Sequence, residues 1–201
     1  MTDKRFDNRT KQQFQKDILH CTKVESFWMK TFAEECKINE NFHLEKYVDN
    51  GVANDGSYVQ SGKSTYGADY KVWLLDKNRS NNVEQFPLEV KFAPTAGKIT
   101  LKNRDIEGYI KEKASILFIV NTKQPTLKKP KNHNLNEHIS FIKKHMSNIR
   151  FGIMYPETIA TLNQKFKTIK IPYMGGKSGI IIESKYFDQL FKLYDFSVTK
   201  N

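Results

Sequence analysis

Gly67-Ala68-Asp69-Tyr70-Lys71-Val72-Trp73-Leu74-Leu75 and Phe86-Pro87-Leu88-Glu89-Val90-Lys91-Phe92 decide how this chain is read. Both segments alternate as β-strands do, with successive side chains on opposite faces. Ala68, Tyr70, Val72 and Leu74 share one face of the first; Leu88, Val90 and Phe92 share one face of the second. Asp69, Glu89 and Lys91 take the opposite faces. Strand period sets Glu89 beside Lys91, and a hairpin across the polar stretch Asp76–Gln85 would bring Asp69 next to them. Two carboxylates and an ammonium on stiff strands suit a divalent metal and a phosphate. Magnesium takes oxygen ligands, often one or two carboxylates with waters and substrate phosphate.

The 201 residues are enough for one domain with its own core. No apolar run reaches the roughly 20 residues of a membrane-spanning helix, and Met1-Thr2-Asp3-Lys4-Arg5 leads into polar sequence, not a signal-peptide core. No membrane partner is expected. Cys21 and Cys36 are the two cysteines, and neither has a CxxC neighbour. They read as reduced packing residues, which argues against zinc and for a cytoplasmic location. Lys and Arg number 33 against 22 Asp and Glu, a net charge of +11. That excess favours polyanionic partners, nucleic acid above all.

Val24, Phe27, Trp28, Phe32 and Cys36 recur at helical spacing and predict a helix over 23–37, with Thr22-Lys23-Val24-Glu25 in the form of a capping box. Residues 4–20 are charged and only weakly amphipathic. Turn signals crowd 38–66, with a short strand expected at Tyr58–Gln60. Gly62-Lys63-Ser64 and Gly176-Lys177-Ser178 are not phosphate loops, because Ser57 and Ile171 stand where that motif needs glycine. Asn103 would cap a helix over 104–113 that buries Ile106, Tyr109 and Ile110. The apolar run Ser115–Val120 reads as a strand covered on both faces. Lys123–Asn134 reads as a basic loop, and a helix over 135–147 turns Leu135, Ile139, Ile142 and Met146 inward. His133, His138 and His145 form no nuclease or zinc pattern. Strands at 151–155, 168–171 and 179–182 follow, with a helix from Pro156 and a last helix capped by Ser184 that carries Phe187, Leu190, Phe191 and Tyr194.

Asp69, followed after a hairpin by Glu89-Val90-Lys91, resembles the PD-(D/E)xK nuclease superfamily, the restriction-endonuclease-like fold. The residue before the first acid is often proline in that family and is Ala68 here. The resemblance implies an α/β fold in the order helix, three strands, helix, strand from about 22 to 120, a central mixed β-sheet flanked by α-helices. The whole of 1–201 would be one nuclease domain, with an elaboration from about 121 onward. It also implies a Mg2+ ion, with Mn2+ able to substitute, held by Asp69, Glu89 and the Val90 carbonyl. Lys91 would position the attacking water and offset charge at phosphorus, leaving a 5′-phosphate and a 3′-hydroxyl. The family's first helix often directs a glutamate to the metal. Glu25 in Glu25-Ser26-Phe27-Trp28 matches that position, and reads equally as a capping residue.

Lys98, Lys102 and Arg104 near the second helix, and Lys128, Lys129 and Lys131 in the basic loop, would hold DNA phosphates. The expected substrate is double-stranded DNA and the first expectation a type II restriction endonuclease. Such an enzyme would act as a homodimer, since one core offers one metal site and a double-strand break needs two attacks. The alternatives are a structure-specific, phage or repair nuclease such as a Holliday-junction resolvase, or a nuclease-like DNA-binding protein that does not cut.

Overall fold

In the computed structural model, residues 10–50, 68–171 and 177–197 are described. Thr10 opens the longest helix, α1 (Lys11–Glu35): its hydroxyl accepts from the Gln13 N–H at 3.1 Å, and the Gln13 side chain accepts from the Thr10 N–H at 2.8 Å. The capping box therefore lies at Thr10, and Thr22 with Glu25 stands mid-helix. The early turns hid their helical period because the face they bury carries Asp17 and His20, two polar residues, in place of aliphatic ones.

Five strands follow the helix: β1 (Phe42–Asp49), β2 (Tyr70–Asp76), β3 (Glu84–Ala93), β4 (Lys98–Lys102) and, beyond helix α2 (Asn103–Glu112), β5 (Ser115–Asn121). Helix α3 (Leu135–Lys144), strand β6 (Ile149–Met154), two single-turn helices α4 (Pro156–Ile159) and α5 (Leu162–Lys165), strands β7 (Ile169–Ile171) and β8 (Lys177–Glu183), a short α6 (Phe187–Leu190) and β9 (Tyr194–Asp195) complete the order. The fold is α/β. A mixed six-stranded sheet runs β1-β2-β3-β5-β6-β9, antiparallel except for the parallel pair β3 and β5, and a three-stranded antiparallel sheet runs β4-β8-β7. Gly97, with φ 73°, takes the left-handed turn that swings the chain from the large sheet into the small one.

Each face of the large sheet carries its own core. Trp28, Met29 and Phe32 of α1 pack with Val72, Leu74, Leu88, Val90, Leu117, Ile119 and Phe151. On the other face, Ile106 and Tyr109 of α2 pack with Ile99, Leu101, Ile116, Phe118, Ile180 and Ile182. β5 is buried at every residue and sends alternate side chains to the two cores, as its unbroken apolar run predicts. Ser197 reaches back to α1: it donates through its N–H at 2.7 Å and its hydroxyl at 3.1 Å to the buried carboxylate of Glu35. Among the described residues, no helix is long and apolar enough to cross a membrane.

Several sequence expectations need correction. β1 was not foreseen, because only Phe42 of this edge strand is buried and a register shift between Leu44 and Lys46 breaks its alternation. Ala68 packs in the α2-side core, apart from Tyr70, Val72 and Leu74, since the strand begins only at Tyr70. Asn103 does not cap α2; its amide donates to Thr168 Oγ1 at 3.1 Å, and Lys102 holds the cap position without a side-chain bond. Ile110 is 40% exposed rather than buried. α3 stops at Lys144, with Met146 in a separate 3-10 turn, and the expected last helix is a short 3-10 turn at Ser184–Tyr186 running into α6, with Tyr194 already in β9. The expected strand at Tyr58–Gln60 and the Gly62-Lys63-Ser64 loop lie outside the described residues.

Candidate carboxylate–lysine site

β2 and β3 pair with Tyr70 opposite Leu88, so Asp69 falls one step before the ladder, level with Glu89. Its Oδ2 accepts the Val90 N–H at 2.8 Å, which fixes the carboxylate where a further ladder bond would lie. Leu88 and Val90 are held in the α1-side core, and this obliges Glu89 and Lys91 to face α2. There Glu89, only 8% exposed, accepts from Lys91 Nζ at 2.5 Å and from the Tyr109 hydroxyl at 3.0 Å, both on Oε1. Lys91 Nζ also lies 5.9 Å from the centre of the Tyr109 ring. α1 contributes Glu25, whose charge is felt at Asp69 and which feels Glu89 and Lys91 in turn.

The carboxylates are crowded. Burial pushes Asp69 up to about 8, helped by the charges of Glu89 and Glu25 and opposed by Lys91 and the Val90 N–H. Burial likewise raises Glu25 to about 7; Lys91 opposes this and Glu89 adds to it. Burial works against the Lys91 ammonium, but Tyr109, Glu89 and Asp69 outweigh it and hold its pKa well above the ordinary value. The Tyr109 phenol is raised, chiefly by burial, and stays protonated as a donor to Glu89. Ionising all three carboxylates would put more negative charge here than one lysine balances, which is the condition a hard divalent cation relieves. Asp69 Oδ1 and Glu89 Oε2 take part in none of the bonds above, so the donor set fits magnesium. No three His, Cys, Asp or Glu side chains converge into a chelate among the described residues, and magnesium with its waters and substrate phosphate does not need one.

Asp69, Glu89, Lys91 and Glu25 are thus brought together, and Val90, its side chain buried, turns only backbone to the site. The basic residues are more scattered. Lys98 is exposed on β4, where it and Lys91 line one cavity. Lys102 lies 3.6 Å from Asp105, while Arg104 is exposed at the start of α2. Lys128 and Lys131 are exposed, but Lys129 is engaged with Asp17 at 2.6 Å and with His133 at 3.1 Å. Nor is their segment a loose loop: Leu127 is fully buried and donates its N–H to the Pro94 carbonyl at 2.9 Å, and the Asn121 amide donates to Pro94 and Pro125 carbonyls.

Two features escaped the sequence reading. Tyr109 was legible only as a core residue of α2, although a buried tyrosine needs a partner for its hydroxyl. The histidines do meet: His20 Nε2 lies 2.9 Å from His138 Nδ1, His138 Nε2 lies 3.1 Å from the Leu127 carbonyl, and His133 lies 2.5 Å from Asp17. The His20–His138 contact joins residues 118 positions apart, so no local spacing announces it.

Glu25→Gln tests whether α1 belongs to the site. If the cluster hydrolyses phosphodiesters, the exchange should slow that reaction about tenfold or more while leaving the melting temperature unchanged or raised, because it removes one of three mutually repelling carboxylates. Parallel thermal melts and single-turnover rates decide: a large fall in melting temperature at an unchanged rate would make Glu25 a packing residue.

Comparison with known proteins gives no match of any kind: no family model, no curated protein and no solved structure matches the chain.

Proposed function

We propose that the chain is a magnesium-dependent endodeoxyribonuclease that hydrolyses phosphodiester bonds of double-stranded DNA, on the pattern of the PD-(D/E)xK nucleases. One observation carries this reading: Asp69, just before β2, and Glu89 and Lys91 of β3 converge into a single cluster fixed by the Val90 N–H and the Tyr109 hydroxyl. The element order supports it as well: α1, the antiparallel β1-β2-β3, α2 and a β5 parallel to β3 run in the order of a restriction-endonuclease-like core, with β4 of the small sheet interposed before α2. The +11 charge suits a polyanionic substrate.

Asp69, Glu89 and the Val90 carbonyl would hold the metal. When bound, it polarises the scissile phosphate and lowers the pKa of water at neutral pH. The chain's own groups do the rest. Val90 N–H and Tyr109 hydroxyl keep the two carboxylates in one orientation, so that no reorganisation is needed on binding. Lys91, ionised far above neutral pH, donates toward the attacking water and the phosphate oxygens as charge builds there. Glu25, with its carboxyl near 7, is matched to receiving a proton at neutral pH.

A type II restriction enzyme acting as a homodimer would use two such sites on the two strands. A structure-specific nuclease is the second reading, and a cavity lined by α1 and by Leu127, Lys128 and Lys131 favours it. Plasmid, linear and branched DNA incubated with magnesium should yield discrete products with ends that map by sequencing, manganese should substitute, and excess chelator should stop the reaction. Robust cutting in chelator, or intact substrates with every divalent ion tried, would overturn the proposal. One short symmetric sequence at the ends would mark a restriction enzyme; cuts confined to forks and junctions would mark the structure-specific alternative.

A further inference from the structure

Beside the carboxylates, a cavity of about 510 Å³ opens between α1 and the segment that precedes α3. Glu25 and Lys91 are among its lining residues, so the cavity shares two residues with the candidate site. Phe92, Pro94 and Leu127 give it an apolar wall, and the exposed Lys128 and Lys131 stand along its rim. Its volume falls in the roughly 300–1,000 Å³ range of small-molecule sites.

The wall is built, not a chance gap. Leu127 is clamped from both directions, its N–H to Pro94 and its carbonyl to the His138 ring, and the Asp17–Lys129 ion pair ties the same segment to α1. His138 packs in turn on His20, with ring centroids 5.1 Å apart. Such clamping preforms the space, so a ligand loses little in ordering it.

An apolar wall and a cationic rim together suit a base with its phosphate. A continuous duplex keeps its bases paired inside the helix and offers none to a cavity of this kind, whereas an unpaired base presents a flat face that stacks on apolar and aromatic side chains. We infer that this cavity seats one unpaired nucleotide of the strand being cut, its base against Phe92, Pro94 and Leu127 and its phosphate toward Lys128 and Lys131. The choice of ligand rests on the nuclease reading and narrows it: the preferred substrate carries a break in pairing beside the scissile phosphate.

Binding of the full chain to three labelled DNAs, read by fluorescence anisotropy in chelator, tests this apart from cleavage. The probes are a blunt duplex, the same duplex with a short single-stranded overhang, and that overhang made abasic. The overhang should bind at least about tenfold tighter than the blunt duplex, the gain expected from one stacked base, and the abasic probe should lose that gain. Cys21→Trp places a large ring at an exposed position of α1 that lines the cavity, and should remove the difference between overhang and blunt probes. Equal affinity for all three probes overturns the inference. So does a gain that survives the abasic change, which would reflect phosphates alone, or one that survives Cys21→Trp in a variant with an unaltered thermal melt. Cleavage without overhang preference would sink the cavity's role and leave the nuclease; overhang preference without cleavage by any metal would do the reverse.

Discussion

Alanine at Asp69, Glu89 or Lys91 is expected to reduce DNA cleavage by at least about 10²–10³-fold, the scale on which a single charge-stabilising group is felt at a reacting centre. The three variants should differ sharply in stability, because their neighbours differ. Glu89 is buried and accepts from both Lys91 and Tyr109, so Glu89→Ala leaves an ammonium and a phenol without their acceptor. Breaking a buried ion pair from one side costs about 3–5 kcal/mol. The Lys91 side chain is 33% exposed, which places this pair toward or below the lower figure. Asp69→Ala removes a carboxylate that burial and two like charges already disfavour, and sacrifices only the Val90 N–H contact. Glu89→Gln keeps an acceptor for both neighbours and separates chemistry from folding. Single-turnover assays beside thermal melts measure both effects, and a variant of any of the three that cuts at near wild-type rate would remove this site from consideration.

Metal-free protein should lose stability as pH rises. Asp69 moves from an ordinary 3.8 to about 8 on folding, and Glu25 from 4.5 to about 7. Across that window the folded chain binds more protons than the unfolded chain at these two groups, and stability falls as pH increases. Their stabilising contribution is complete below about pH 4 and is lost as pH climbs through 7 and 8. His20 and His138 act in the opposite sense: folding lowers both, chiefly through burial, so their contribution is present above 6.5 and is lost as pH falls through the folded values. The carboxylate effect is therefore isolated by comparing wild type with Asp69→Asn, which should melt higher at about pH 8 and show a shallower decline. Magnesium should raise the wild-type melting temperature most at that pH, because at lower pH protons compete for the same oxygens. A magnesium effect that is the same at all pH values, or absent, would show that the carboxylates do not form a cation site.

The sequence exposed the carboxylate–lysine hairpin because its residues obey a local rule. Leu88, Val90 and Phe92 alternate with Glu89 and Lys91 over a single strand, and period two needs no tertiary knowledge. β5 was equally plain from its apolar run. What failed was information stored at long range. The first turns of α1 bury Asp17 and His20 against Lys129, His133 and His138, so polar partners more than a hundred residues away replace the apolar period that would have announced the helix. β1 failed for the opposite reason: it is an edge strand whose exposed residues carry little pattern. Glu25 reads from sequence as cap or site alike, and only the N-cap at Thr10, well upstream, removes the capping role.

The bonds from Ser197 to Glu35 bear on how the chain matures on the ribosome. Synthesis is vectorial, and Ser197 leaves the exit tunnel long after Asp69, Glu89 and Lys91 have emerged. Until then the C-terminal end of α1, the helix that carries Glu25, lacks the bonds that Ser197 makes to Glu35. A nascent chain can therefore pair β2 with β3, and so align Asp69 with Glu89, before the C-terminal end of α1 is fastened.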